Sequence, residues 1–192
     1  MDQDATLALF RRAGALLEGH FRLSSGLHSN GYLQSALVLQ RPDDAANLGA
    51  ALAGRVTSWR PDVVLSPALG GVIIGHEVAR ALVVRALFAE RADGNLTLRR
   101  GFSLSRGERV LVVEDVVTTG GSTRETIDVA TSAGAQVVGA AALIDRSGGT
   151  AQLGVPFEAL ARLSLPTYEP STCPLCSKGL PVTKPGSRPG IR

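Results

Sequence analysis

Short apolar runs without alternation, separated by stretches whose apolar positions recur every three or four residues, set the pattern of this 192-residue chain. Val63-Val-Leu65, Leu82 to Phe88, Val110 to Val113 and Val137 to Ile144 are such runs, as expected of strands covered on both faces. Between them lie helical spacings: Leu9, Ala13, Leu16 and Leu17 share one face of a helix over Asp4 to Glu18, which Gly19 should end. Ala45, Leu48, Leu52, Val56 and Trp59 predict a second helix closed by Pro61, and Val72 to about Arg80 and Ser122 to Ala133 predict two more. Phe21 to Leu23 and Tyr32 to Leu39 read as strands around a Ser/Gly-rich loop. Strands alternating with helices make an α/β protein with a doubly wound parallel sheet.

The two ends break this rhythm. Residues 166–192 hold six of the ten prolines, so an extended tail is predicted there. With the segment before residue 45, it is expected to form a small hood over the carboxyl edge of a core spanning about 45–145, within a single domain.

Composition narrows the function classes. No run of about 18 apolar residues occurs, and the acidic Met1-Asp-Gln-Asp4 does not resemble a secretory signal, so a cytoplasmic chain without membrane association is expected. The net charge of +3 rests on arginine, because Lys178 and Lys184 are the only lysines. Those arginines are scattered rather than clustered with aromatics, which argues against nucleic acid and suits carboxylates and phosphates.

The chemistry concentrates at Val110-Leu-Val-Val-Glu-Asp-Val-Val-Thr-Thr-Gly-Gly-Ser-Thr123. A buried strand ends in Glu114 and Asp115, at the edge where open α/β sheets bind ligands. Successive strand side chains point to opposite faces, so the two carboxylates cannot serve identically. The small, hydroxyl-rich turn then opens a helix whose first N–H groups can hold an anion. A phosphate beside a sugar diol fits this order. No Gly-x-x-x-x-Gly-Lys-Ser/Thr occurs, and no Gly-x-Gly-x-x-Gly follows a strand, so nucleotide hydrolysis and dinucleotide binding lose support.

This stretch resembles the signature of the type I phosphoribosyltransferases, and three further segments resemble orotate phosphoribosyltransferase over nearly the whole chain. They are His20-Phe-Arg-Leu-Ser-Ser-Gly-Leu-His-Ser-Asn-Gly-Tyr-Leu-Gln34, Ser66-Pro-Ala-Leu-Gly-Gly-Val-Ile-Ile-Gly75 and Ala142-Leu-Ile-Asp-Arg-Ser-Gly148. The resemblance implies transfer of ribose 5-phosphate from phosphoribosyl pyrophosphate to orotate, giving orotidine 5-monophosphate and pyrophosphate on the route to UMP. It implies magnesium held mainly through the pyrophosphate donor and water near Asp115, and a homodimer with shared active sites. Donor binding falls to Glu114, Asp115, Val116, Val117, Thr118, Thr119, Gly120, Gly121 and Ser122, with Leu69 and Gly70 at the pyrophosphate. Orotate falls to Arg146, Thr118, Ser24 and Tyr32. A planar guanidinium suits this base, because it grips a carboxylate or imide edge with two parallel hydrogen bonds.

Phe88-Ala-Glu-Arg-Ala-Asp-Gly-Asn-Leu-Thr-Leu-Arg-Arg-Gly-Phe102 stands where the family carries its mobile catalytic loop. That loop usually offers lysines and a histidine; here Arg91, Arg99 and Arg100 take the place, and Ser24 stands where a lysine is often found. These arginines join Glu114 and Asp115 as the catalytic candidates. A purine or uracil phosphoribosyltransferase would share residues 110–123, but the 20–34 loop and Ile144-Asp-Arg146 favour orotate. A regulator of the same fold acting on nucleic acid would need a basic face or an added domain. Cys173-Pro-Leu-Cys176 suggests zinc, yet a structural site takes four ligands, and His20, His28 and His76 lie far away in sequence. Reduced thiols are the expectation for that pair, and His76 should be a surface or interface residue.

Overall fold

The computed structural model describes residues 1–23 and 25–185. Its centre is a six-stranded sheet of β3 (Val63–Pro67), β4 (Arg85–Ala92), β5 (Asn95–Leu98), β6 (Arg109–Val117), β7 (Gln136–Asp145) and β8 (Phe157–Arg162), in the order β5-β4-β3-β6-β7-β8. All neighbouring pairs are parallel except β4 and β5, which form an antiparallel hairpin at one edge. The helices α3 (Pro42–Val56) and α4 (Gly70–Leu82) cover one face, and α5 (Gly121–Ser132) covers the other.

β6 shows why its apolar run does not alternate. Leu111 and Val113 pack with Leu48, Leu52, Ile74 and Val78 in one cluster, while Val110 and Val112 pack with Val63, Leu65 and Ala130 in another. Both faces are buried, so every position of the run is apolar. Leu48 and Leu52 are fully buried, and truncating either to Ala should cost about 2–5 kcal/mol. The chain leaves β3 through α4 toward β4, then returns across β3 to β6 and continues through α5 toward β7. Between the carboxyl ends of β3 and β6, the connections therefore diverge to opposite faces and open a crevice.

The small lobe is a second sheet of β1 (Leu16–Arg22), β2 (His28–Leu33) and β9 (Thr167–Tyr168), so both ends of the chain contribute to it. The C-terminal strap returns to it once more: Thr183 N donates to His20 O, and Arg22 N to Thr183 O, both at 2.8 Å. Among the described residues, no helix is long and apolar enough to cross a membrane.

Several elements depart from the pattern reading. Helix α1 spans Gln3–Arg12, capped by the Asp2 carboxylate on Ala5 N, and Gly14 at φ +67° stops it well before Gly19. Leu16 and Leu17, which share the helical spacing, belong to β1 instead. The apolar run at 36–39 is one helical turn, α2 (Ala36–Leu39), rather than strand; a run so short carries no period to decide it. Helix α4 runs on to Leu82, and Val83 turns the chain at φ +58°, so β4 starts at Arg85 and not at Leu82. The core sheet does not stop near residue 145, since β8 is its far edge and α1 packs against β8. The tail after 166 holds, besides extended chain, the 3-10 turn Pro170–Thr172 and the short helix α6 (Pro174–Ser177); residues 186–192 of the expected extended tail lie outside the described residues.

Candidate active site

The end of β6 delivers its two carboxylates to different sides of the sheet. Glu114 follows Val110 and Val112 toward α5, where Ser122 Oγ donates to its Oε2 at 2.8 Å. Asp115 follows Val113 toward α4, and there Gly70 lies so close that a Cβ would stand 2.7 Å from Asp115 Oδ1. Only glycine lets the start of α4 approach that carboxylate. Glu114 is buried, 5% exposed, while Asp115 is half-exposed to the crevice. Among the described residues no cation pairs with either acid.

Burial, and then the negative charge of Asp115, push the Glu114 carboxyl up to about 8, against the hydrogen bond from Ser122. A carboxyl raised on folding binds its proton in the native state while the unfolded chain has lost it. Stability should therefore fall as pH rises from about 4.5 to about 8, by at most about 1.4 kcal/mol per unit. Urea melts of the ligand-free protein at about pH 5.5 and about pH 7.5 should show this slope, and Glu114→Gln should flatten it. An unchanged slope in the variant would reassign it to other groups.

The turn after β6 is built to leave donors free. Gly120 sits at φ +77°, and a Cβ there would meet Leu153 Cδ2 at 2.6 Å, so both conformation and space require glycine. As the residue preceding α5 it has no side chain to cap the helix, which leaves the first N–H groups for another acceptor. Arg124 braces the turn by donating to Thr119 O at 2.9 Å and Gln152 O at 3.0 Å. Thr118 and Thr119 are exposed, and Ser122 joins the turn to Glu114.

Arg146 flanks this turn, since its N–H donates to Val117 O at 2.7 Å. Its neighbour Asp145 does not pair with it: Asp145 Oδ1 accepts from Ser147 N and Oγ, and Oδ2 faces Arg162 Nε at 3.7 Å. Arg146 keeps a buried Nε with no hydrogen-bond partner among the described residues, and burial lowers its guanidinium below the usual arginine range. On the other side of the crevice, Leu69 is 88% exposed just ahead of Gly70.

The remaining candidates are spread more widely. Tyr32 is half-buried on β2 in the small lobe, tilted against Phe21 at 6.0 Å, and Ser24 lies outside the described residues. Residues 88–102 form the regular β4–β5 hairpin and its exit rather than an irregular loop. Within it, Arg91 is bound to Glu125, and Arg100 grips Glu90 through two nitrogens over the Phe88 ring. Arg99 is exposed and makes no side-chain hydrogen bond or ion pair among the described residues. His76 is exposed, as expected.

Residues 38–153 match the family model described as the phosphoribosyl transferase domain. The chain is 54% identical over 188 residues to the orotate phosphoribosyltransferase of Pelotomaculum thermopropionicum, covering 98% of this chain and 99% of that protein. It belongs to the orotate phosphoribosyltransferase family. Two solved orotate phosphoribosyltransferases share the fold. The Aeropyrum pernix protein superposes with a TM-score of 0.64 at 29% identity, over 82% of this chain and 93% of that one. The Mycobacterium tuberculosis H37Rv protein gives 0.69 at 23% identity, over 83% and 95%.

The sequence reading of this phosphoribosyltransferase missed two things. Arg124 is a bracing residue in the signature turn, but a lone arginine at the start of a helix looks like a surface charge. Cys173 and Cys176, set far from the histidines by sequence separation, lie beside His20 and His28 in space. Nothing local in either segment could have shown that.

Proposed function

We infer that the crevice between β3 and β6 holds phosphoribosyl pyrophosphate and that Arg146 holds orotate, so that the site performs the family's transfer of ribose 5-phosphate. The observation that carries this reading is a buried Arg146 Nε beside a Gly120 turn and two carboxylates, none of which has a protein partner of opposite charge among the described residues. A guanidinium kept partly out of water with no acid to neutralise it is costly in the free protein, and a ligand carboxylate removes that cost. Orotate is the base that carries one.

Each group then has a task. N–H groups and hydroxyls of Thr118, Thr119, Gly120, Gly121 and Ser122 take the 5-phosphate at the positive end of α5. Val116 and Val117 carry the chain from the acids to that turn. Asp115 accepts from the ribose diol on the α4 side, and Glu114 from the α5 side once it loses its proton. The backbone at Leu69 and Gly70 approaches the pyrophosphate. Cleavage of the C1–O bond leaves positive charge on the ribose, and the adjacent carboxylates stabilise it without forming a bond. The crevice offers hard oxygen ligands with no competing cation among the described residues, which fits magnesium; when bound, it would neutralise the leaving pyrophosphate. Thr118 and Tyr32, with Ser24, complete the base pocket in this reading.

Among the hairpin arginines, Arg91 and Arg100 are already paired, while Arg99 has no side-chain partner among the described residues and is the candidate to act. In a homodimer with shared sites, the hairpin of one copy closes over the crevice of the other. Arg99→Ala should lower kcat about tenfold with the orotate KM little changed. Mixing it with Asp115→Asn chains should restore part of the activity, and no recovery in mixed dimers would place the arginine in its own subunit's site.

The reading is tested by offering orotate, adenine, hypoxanthine and uracil in turn, with the pyrophosphate donor and magnesium. Consumption of orotate alone supports it. Turnover of a purine or uracil without orotate overturns it.

A further inference from the structure

The small lobe contains a four-donor cluster that phosphoribosyl transfer does not use. His20 on β1, His28 at the start of β2, and Cys173 and Cys176 around the first turn of α6 place their ligand atoms within 4.8 Å of one another. His20 Nε2 is 2.9 Å from His28 Nδ1, 3.6 Å from Cys173 Sγ and 3.8 Å from Cys176 Sγ; Cys176 Sγ is 3.3 Å from His28 Nδ1. A tetrahedral zinc ion with ordinary bond lengths needs edges of about 3.3 Å between nitrogens, about 3.5 Å between nitrogen and sulfur, and about 3.8 Å between sulfurs. The one nitrogen–nitrogen and three nitrogen–sulfur distances stand near those separations, and the remaining pairs lie within 4.8 Å. We propose that His20, His28, Cys173 and Cys176 bind one structural zinc ion that fastens the C-terminal strap to the β1–β2 hairpin.

The protonation pattern supports a ligand role. Leu180 O can only accept, so the 2.8 Å contact with His20 Nδ1 places the hydrogen there and turns the bare Nε2 lone pair toward the cluster. His20, His28 and Cys173 are buried, at 5%, 7% and 3% exposure, with no carboxylate among them. Both thiols are free rather than joined. A redox Cys-x-x-Cys pair would leave the two imidazoles without a purpose, and a cysteine nucleophile would need one base, not two. Mixed imidazole and thiolate donors in a tetrahedron favour zinc over hard cations.

The fastening has a mechanical consequence. His20 and His28 bracket the turn in which Leu23 N donates to Leu27 O, and the cysteines lie about 150 residues further on. Metal binding would close that long loop, and its binding free energy would become stability of the small lobe. An effect on orotate affinity rests on the reading of residues 20–34 as the base pocket. Metal content does not.

The test uses full-length protein made without a polyhistidine tag in zinc-supplemented medium. Elemental analysis should find about one zinc per chain, and cobalt exchanged into the site should show tetrahedral d–d absorption with a sulfur-to-cobalt charge-transfer band. The Cys173→Ser/Cys176→Ser double variant should lose the metal and melt at least about 5 °C lower. Should that variant fail to fold, the wild-type zinc content and cobalt spectrum still decide the matter. Less than about a tenth of an equivalent of zinc with no cobalt spectrum, or a Cys173–Cys176 disulfide in the wild-type protein, would overturn the proposal. A raised orotate KM in the metal-free variant extends it to the base pocket; an unchanged KM with lost zinc leaves the site and removes only that extension.

Discussion

Asp115→Asn is expected to cut kcat at least about tenfold while the protein keeps its fold. The carboxylate is half-exposed, pairs with no cation among the described residues, and lies against Gly70 at the start of α4. An isosteric amide keeps that packing, so thermal melting should hardly move. What disappears is the negative charge beside the ribose as its C1–O bond breaks, an interaction stronger in the transition state than in the ground state. The loss should therefore fall on kcat rather than on the KM for the donor. Unchanged turnover would remove Asp115 from the diol and leave Glu114 as the only acid in contact with the sugar.

Arg146→Ala should lower kcat/KM for orotate at least about a hundredfold while the KM for the pyrophosphate donor shifts only a few-fold. The guanidinium has no acid of its own among the described residues, because Asp145 is engaged with Ser147 and Arg162. Arg146→Lys should not rescue, since an ammonium cannot make two parallel hydrogen bonds to one carboxylate. Arg146→Met should melt higher than wild type, because an uncompensated charge in a partly buried place opposes folding. A variant that loses both substrates equally would mean that Arg146 supports the turn and does not hold the base.

How far the sequence carries this account depends on how local each signal is. The strand at 110–113, its two acids and the helix after the Thr/Gly/Ser turn could be read directly, because a run buried on both faces and a glycine-rich turn are written in neighbouring residues. The opposite destinies of Glu114 and Asp115 followed from strand alternation, and Ser122 and Gly70 supply the partners on the two sides. The edges were harder. Gly14 rather than Gly19 ended the first helix, since left-handed conformation at one position outweighed an apolar spacing that continued past it. β8 was missed because an edge strand with the burial of Phe157–Arg162 shows neither clean alternation nor a buried run. The loop arginines could be named but not ranked, as the Arg100–Glu90 pair arises only when β5 folds back on β4 and the Arg91–Glu125 pair only when that hairpin meets α5. The His/Cys cluster was least visible of all, for it joins segments about 150 residues apart.

A crystal structure with orotate and a non-reactive analogue of phosphoribosyl pyrophosphate tests the central assignment most directly. The 5-phosphate should lie within hydrogen-bond distance of the 118–122 turn, the diol on Glu114 and Asp115, and the orotate carboxylate on the Arg146 guanidinium. A phosphate bound elsewhere, or an orotate that does not touch Arg146, would contradict the account.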